Sequence, residues 1–443
     1  MNAGERRYHL GLDWGTSAVK MVLRDYGAVG EPYAMVLTPD EKGVRYPSTV
    51  ALLDDALWFG WEAESRRTRA TKVWDSLKAR AALRHGWAES SGVEGLTYAN
   101  LVALCLAHAI AVGKRHADAH ARSMGAVARM AMTLGAPEPD LQVRSNAYLD
   151  AVVLAYRLVA EGFDPQGQTV ALCLSRLHAL RERVLPMVNR SPDNRNRWLR
   201  SEVAAAMMWT FTSPLVGEGI YTVIDIGAAT TNASFFQIHA QYDGHARRPK
   251  GGIAFFGAAT RGPAMNEIAA CIAELEFPER PDPVRVRGHE RRFLKRHERH
   301  ATIDGTLAEI YETWAIAKRN AWPKAPRLDH WRGLRFLVIG GGRTCPEIVR
   351  RFDRLPGYLD GKITEYRELK EPGCPNDLRQ FSLAPAPPEP YVGDPTFLLV
   401  AYGLSFHVGD LPDIALPHEV PPFQRTEFRR AFTSAEELGY DEK

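Results

Sequence analysis

Leu12-Asp13-Trp14-Gly15-Thr16-Ser17 is answered, 212 positions later, by Ile224-Asp225-Ile226-Gly227-Ala228-Ala229. Each is an apolar strand that ends in Asp-x-Gly, runs through small residues and enters a second strand. The first pair is Tyr8–Asp13 with Ala18–Arg24, and the second is Tyr221–Ile226 with Ala233–Ile238. Small turn residues let backbone N–H groups approach an anion. An Asp at the strand end can hold a metal-bound water or orient a nucleophile. One such turn is ordinary structure. Two at a domain-length spacing predict two similar units sharing a cleft. A third signal is Phe336-Leu337-Val338-Ile339-Gly340-Gly341-Gly342, a buried strand broken by glycines, with Cys345–Phe352 as the helix that follows.

Bulk properties set the outer limits. The 443 residues exceed what one core supports, so the chain must divide. Hydrophobic residues at 45% and charged residues at 25% exclude a collagen-like or broadly disordered chain. A net charge of +3 asks for neither nucleic acid nor membrane as partner. Only twelve of the 56 basic residues are lysine, so each lysine is less readily dismissed as surface filler. Five scattered cysteines without a Cys-x-x-Cys pair argue against a disulfide framework or zinc ribbon and fit a reducing cytoplasm. Met1–Arg7 lacks an apolar leader core, so no signal peptide is expected. The longest apolar stretch, Leu101–Gly113, falls short of the ~20 residues of a membrane span.

Periodicity fills in the rest. Tyr46–Phe59 reads as a strand pair turning at Asp54-Asp55, and Glu62–Val159 as mainly helical with Val127–Leu134 a strand. Gln168–Cys173 reads as a strand and Asn189–Arg197 as a polar loop. Ser201–Trp209, capped by Ser201, reads as a helix, as do Gly262–Leu275, Thr306–Ala321 and Thr396–Phe406. Arg285–His300 reads as a solvated basic face, since Glu290 and Glu298 interrupt it. Its His297 and His300 do not match a zincin motif. Trp58 and Trp61 read as packing residues. No Walker loop or Gly-x-Ser-x-Gly elbow is present.

Together the three glycine motifs resemble the nucleotide site of actins, sugar kinases and heat-shock 70 chaperones. Tyr8–Val22 and Val223–Phe236 look like the two phosphate loops, and Phe336–Phe352 like the adenosine loop. Tyr46-Pro47-Ser48-Thr49-Val50-Ala51 with Phe59-Gly60-Trp61-Glu62-Ala63 is similar to an early heat-shock 70 stretch. Ser76-Leu77-Lys78 falls where that branch carries a catalytic lysine, and Ser201–Ala206 resembles its interlobe helix. Ala317-Lys318-Arg319 resembles its adenine-facing helix, and Val400–Gly403 its final helix.

The resemblance implies an α/β, actin-like ATPase fold of two similar, ribonuclease H-like lobes around a nucleotide cleft. Lobe I would be 1–215 plus about 395–411, lobe II 216–394, and 412–443 a peripheral tail. It implies ATP or ADP as ligand and Mg²⁺ held through water by Asp13 and Asp225. Gly15, Thr16, Ser17, Lys20, Gly227 and Thr230 would meet the phosphates. Lys78 would approach the γ-phosphate, with Glu202 near the metal waters. Lys318, Arg319, Gly341 and Gly342 would line the adenosine pocket. The activity implied is a slow ATP hydrolase acting as a chaperone-like switch read by a protein partner, without nucleic acid or membrane.

Departures qualify that picture. The second loop carries Ala228 and Ala229 for two glycines and Asn232 for a second Asp, which removes a charge and a base. Ala315 and Thr344 replace two adenosine-pocket side chains. The stretch after Phe406 is too short for a peptide-binding β-sandwich of ~100 residues. A non-hydrolysing nucleotide-sensing scaffold is the alternative motivated by Asn232. An actin-like filament former is the alternative supported by Lys20, and a sugar kinase a further one.

Overall fold

The computed structural model describes residues 4–27, 31–39, 43–81, 86–137, 143–212, 218–241, 250–277, 290–297, 299–325, 331, 334–345, 347–348, 352, 367–368, 374–383, 388–415 and 420. The chain is α/β. Its two large sheets grow from the two hairpins. β1 (Gly4–Trp14) pairs antiparallel with β2 (Ala18–Asp25), from Tyr8 opposite Asp25 to Trp14 opposite Val19. β2 also carries β3 (Tyr33–Val36) and the short β4 (Tyr46–Pro47). On the other side of β1 lie β5 (Ala126–Ala136) and then β6 (Leu199–Ser201), both parallel.

The second sheet repeats the plan. β7 (Gly219–Ile226) pairs antiparallel with β8 (Thr231–Gln241), and β8 with β9 (Lys250–Arg261). β10 (Arg335–Gly340) lies parallel to β7, and β11 (Arg367–Glu368) parallel to β10. The order β6-β5-β1-β2-β3 therefore equals β11-β10-β7-β8-β9, with the same sense at every step. Even the sixth strands correspond. β12 (Leu378–Gln380) lies parallel to β3, and β13 (Asp413–Ala415) parallel to β9.

Alternation along the strands sorts side chains onto two faces. Tyr8, Leu10, Leu12 and Trp14 of β1 turn outward onto α1 (Tyr98–Ser123) and α2 (Ser145–Ala160). The cap of α1 is Thr97, whose Oγ1 accepts from Asn100 N at 3.3 Å. The inner faces of both sheets meet α3 (Glu202–Thr212), whose Val203–Trp209 stretch is buried throughout, as an all-apolar helix must be. The second sheet covers its outer face with α4 (Met265–Glu276) and α5 (Ala301–Ala321). α6 (Leu399–Leu404) lies beside α3 in the middle layer. Among the described residues no helix is long and apolar enough to cross a membrane, and all five cysteines are free.

α3 and α6 cross at Gly403. A Cβ there would lie 1.8 Å from Ala205 O. Alanine gains ~1 kcal/mol over glycine in a helix, but this backbone contact outweighs it. Gly403→Val is expected to destabilise by about 3 kcal/mol, measured by urea unfolding.

Several elements depart from the sequence reading. Gln168–Cys173 is strand only at Gln168–Thr169. A helix then runs Val170–Val184, started by Thr169, whose Oγ1 accepts from Leu172 N. The polar stretch after Asn189 contains a helix, Pro192–Trp198, capped by Ser191. Half of Cys345–Phe352 lies outside the described residues. The division of the chain differs too. β12 joins the first sheet although the 216–394 segment was expected to form the second unit. Asp377 just before it bonds Arg24 at 2.5 Å and accepts from Tyr402 Oη at 2.6 Å. Asp413–Ala415, expected in a peripheral region, extends the second sheet. The helix Glu290–His297 exposes Lys295 and Arg296, and Arg296 and His297 both bond Glu276 of α4. Trp58 lies beneath the Arg66 guanidinium at 3.7 Å.

Candidate functional site

The two hairpins close identically. Gly15 N donates to Ala18 O at 3.0 Å, and Gly227 N donates to Thr230 O at 2.9 Å. The register places Asp13 opposite Lys20 and Asp225 opposite Asn232. Asn232 thus occupies in the second hairpin the place that Lys20 holds in the first. Both turns open into one cleft. The first hairpin contributes Asp13, Gly15, Thr16, Ser17 and Lys20, and the second contributes Asp225, Gly227, Thr230 and Asn232.

Three further expected residues join them: Lys78, Glu202 and Gly341. Glu202 opens α3 directly after β6, and Ser201 Oγ accepts from Ala204 N at 3.3 Å, the expected cap. Lys78 lies in the short helix Leu77–Ala81, whose Leu77 is fully buried and anchors it. The Lys78 ammonium donates to Glu202 Oε1, and Lys20 Nζ donates to Asp13 Oδ2 at 2.6 Å.

Three carboxylates (Asp13, Glu202, Asp225) face two ammonium groups (Lys20, Lys78), with the Arg45 guanidinium in the same lining. Burial pushes the Glu202 carboxyl up to about 7, against the pull of Lys78. Burial also raises Asp225; Lys20 opposes the rise and Asp13 adds to it. Burial alone would lower Lys78, but Glu202 and then Asp13 outweigh it and hold its pKa above the ordinary value. A cation bound here would favour the ionised form of these carboxyls. On the same wall, Asn232 Oδ1 and Asn266 Oδ1 are buried acceptors with no donor among the described residues. Among the described residues no group of three or more His, Cys, Asp or Glu could ligate a metal directly, so these amide oxygens and carboxyls fit a cation only through its waters.

Three expected residues do not line this cleft. α5 lays Trp314, Ala317 and Ala321 onto the second sheet, so the neighbouring Lys318 and Arg319 turn away from it. Arg319 bonds Glu312 at 2.7 Å on the surface, and the Lys318 ammonium lies 6.0 Å from the Trp314 ring centroid. Gly342 instead lies against Ile226, where a Cβ would meet Ile226 Cγ2 at 2.4 Å. The roles expected of Gly15 and Gly227 also shift. Their N–H groups already close the turns.

Other residues here carried no sequence signal. Arg45 and Phe397 form part of the wall, with the guanidinium stacked 3.6 Å from the ring centroid. Asn266 arrives with the start of α4, whose Asn266 N donates to Ala228 O at 2.7 Å. Gly340 was legible as part of the triple glycine. At φ +81° it places Asp225 Oδ1 only 2.3 Å from where a Cβ would sit.

No protein-family model matches the chain, and no curated protein matches it in sequence.

Proposed function

We propose that the cleft binds Mg-ATP between its two turns and that the protein is a slow ATP hydrolase. The fold would be the ribonuclease H-like, actin-like ATPase arrangement of the heat-shock 70 branch, working as a nucleotide-driven switch read by a protein partner. One observation carries this reading: strand order and sense repeat in both sheets, and the repeated turns face each other across one cleft. The family name adds only an analogy of fold.

The residues divide the work. Amides and hydroxyls at Thr16, Ser17 and Ala228–Thr230 would hold phosphate oxygens. Asp13 and Asp225 would hold Mg²⁺ through its waters, with Asn232 Oδ1 accepting from one of them. The ion would neutralise phosphate charge when bound. Lys78 would exchange Glu202 for the γ-phosphate and stabilise charge building there. Glu202, with a pKa near neutrality, would take the proton of the attacking water at Oε1.

Calorimetric titration with ATP and Mg²⁺ tests binding; no heat at millimolar nucleotide overturns the proposal. Lys78→Gln is expected to lower phosphate release about 10²-fold while nucleotide affinity changes less. A non-hydrolysing nucleotide scaffold is the second reading. It is favoured by Asn232, which puts an uncharged amide opposite Asp225. Wild-type turnover that Lys78→Gln abolishes excludes it.

A further inference from the structure

The loop that delivers Lys78 is held in an unfavourable conformation. Ser76, two residues before it, has φ +58°, a left-handed value that side-chain-bearing residues adopt at a cost. The turn at Ser76 sends Leu77 into the core and brings Lys78 to the cleft. Arg80 N bonds back to Ser76 O at 3.1 Å and starts the helix. One such bond does not explain why the strained form persists.

The brace lies on the preceding residue. Asp75 is gripped by the fork of Arg67, with Nη1 to Oδ2 at 2.9 Å and Nη2 to Oδ1 at 2.7 Å. The same guanidinium donates to both oxygens of Glu64, at 3.0 Å from Nε and 3.1 Å from Nη2. Thr49 Oγ1 lies 2.5 Å from Glu64 Oε1 and 3.2 Å from Asp75 Oδ1, which closes the network. Thr49 also links it to the first turn. Its neighbour Ser48 donates from Oγ to Thr16 O at 2.7 Å and from N to Ser17 O at 3.2 Å. One dipeptide, Ser48-Thr49, therefore ties the anion turn to the loop that carries Lys78.

We infer that Arg67 is a positioning residue for Lys78: by clamping Asp75 it holds the strained Ser76 turn and so fixes the distance from the Lys78 ammonium to the first turn. Arg67 does not line the cleft. The forked geometry is what matters, because a lysine ammonium carries the charge but cannot bridge two carboxylates in one plane. The role of Lys78 in turnover rests on the function proposed above; the positioning itself does not.

The test separates the two. Lys78 is labelled in nucleotide-free protein with an amine-acylating reagent and read by mass spectrometry, with the partly exposed Lys114 as internal reference. Arg67→Gln and Arg67→Lys are each expected to raise the Lys78 labelling rate about tenfold over wild type, with Lys114 unchanged. Should Arg67→Gln fail to fold, Asp75→Asn leaves the Arg67–Glu64 pair intact and is expected to do the same. An unchanged Lys78 rate in a folded variant overturns the inference, as does full protection by Arg67→Lys. If wild type turns over ATP, Arg67→Gln is expected to lower kcat about tenfold with KM altered less than about threefold. A general loss of structure would instead move Lys114 labelling and KM as well. Absence of ATP binding in wild type would remove the functional reading and leave the labelling result standing.

Discussion

Gly340→Ala is expected to lower Mg-ATP affinity about 100-fold while both sheets stay folded. At φ +81° an alanine carries a left-handed cost of roughly 1–2 kcal/mol, which weakens folding in the free and bound states alike. Its Cβ would also stand 2.3 Å from Asp225 Oδ1 and 2.6 Å from Ile226 O. Carboxylate and carbonyl must both move, and Asp225 is the strand-end acid on which the second turn depends. A displacement costing about 2.7 kcal/mol in binding corresponds to 100-fold. Gly341→Ala is the control. Its Cβ would approach Ile226 O no closer than 3.9 Å, ordinary contact, so the backbone need not shift. Titration calorimetry on the two variants decides the matter. Equal affinities would remove Asp225 from the binding site.

The second large effect concerns pH. Glu202 is buried, and its pKa of about 7 lies above the ordinary carboxylate value of ~4.3. Ionising it therefore costs the folded state. Its contribution to stability is complete below the ordinary value and is lost as pH rises through about 7, on the order of 3 kcal/mol. Lys78 does not set this window, because its raised pKa keeps it charged throughout. A bound cation favours the ionised carboxylate, so the sign reverses for Mg²⁺. Below pH 7 each unit is expected to weaken Mg²⁺ binding by up to tenfold. Free Mg²⁺ at half-saturation of ATP binding, measured at pH 6 and 8, reads this directly. The binding heat should differ between buffers of unlike ionisation enthalpy, which reports the protons released. Glu202→Gln should flatten the profile, whereas an identical Mg²⁺ requirement at both pH values in wild type contradicts the argument.

What could be read from the chain alone follows the range of the forces involved. The two hairpins were legible because an Asp-x-Gly turn between alternating strands is a local pattern. So were the Asp54-Asp55 turn, where both residues have positive φ, and the Ser201 cap. The sites of Lys78 and Glu202 came from resemblance, and the structure sets them side by side although 124 residues separate them. Lys318 and Arg319 lie outside this cleft's lining, and helical periodicity could not say so because it names the buried stripe but not the sheet face it meets. The apolar run at Val170 could serve strand or helix, and only Thr169 as a cap distinguishes them. β12 was invisible. Three residues, Leu378-Arg379-Gln380, carry no period, and their pairing with Ala34–Val36 is entirely long-range.

That same short strand has a consequence for modularity. After β11 the chain crosses back to the first sheet as β12, passes between the sheets as α6 and returns to the second as β13. Each half is therefore completed by residues that follow the other in sequence. The internal repeat invites a history of duplication, but neither copy is now a contiguous cassette. A cut between the two halves leaves the first sheet short of its β12 edge and without α6. The two halves are therefore expected to fold as one unit rather than as separable modules.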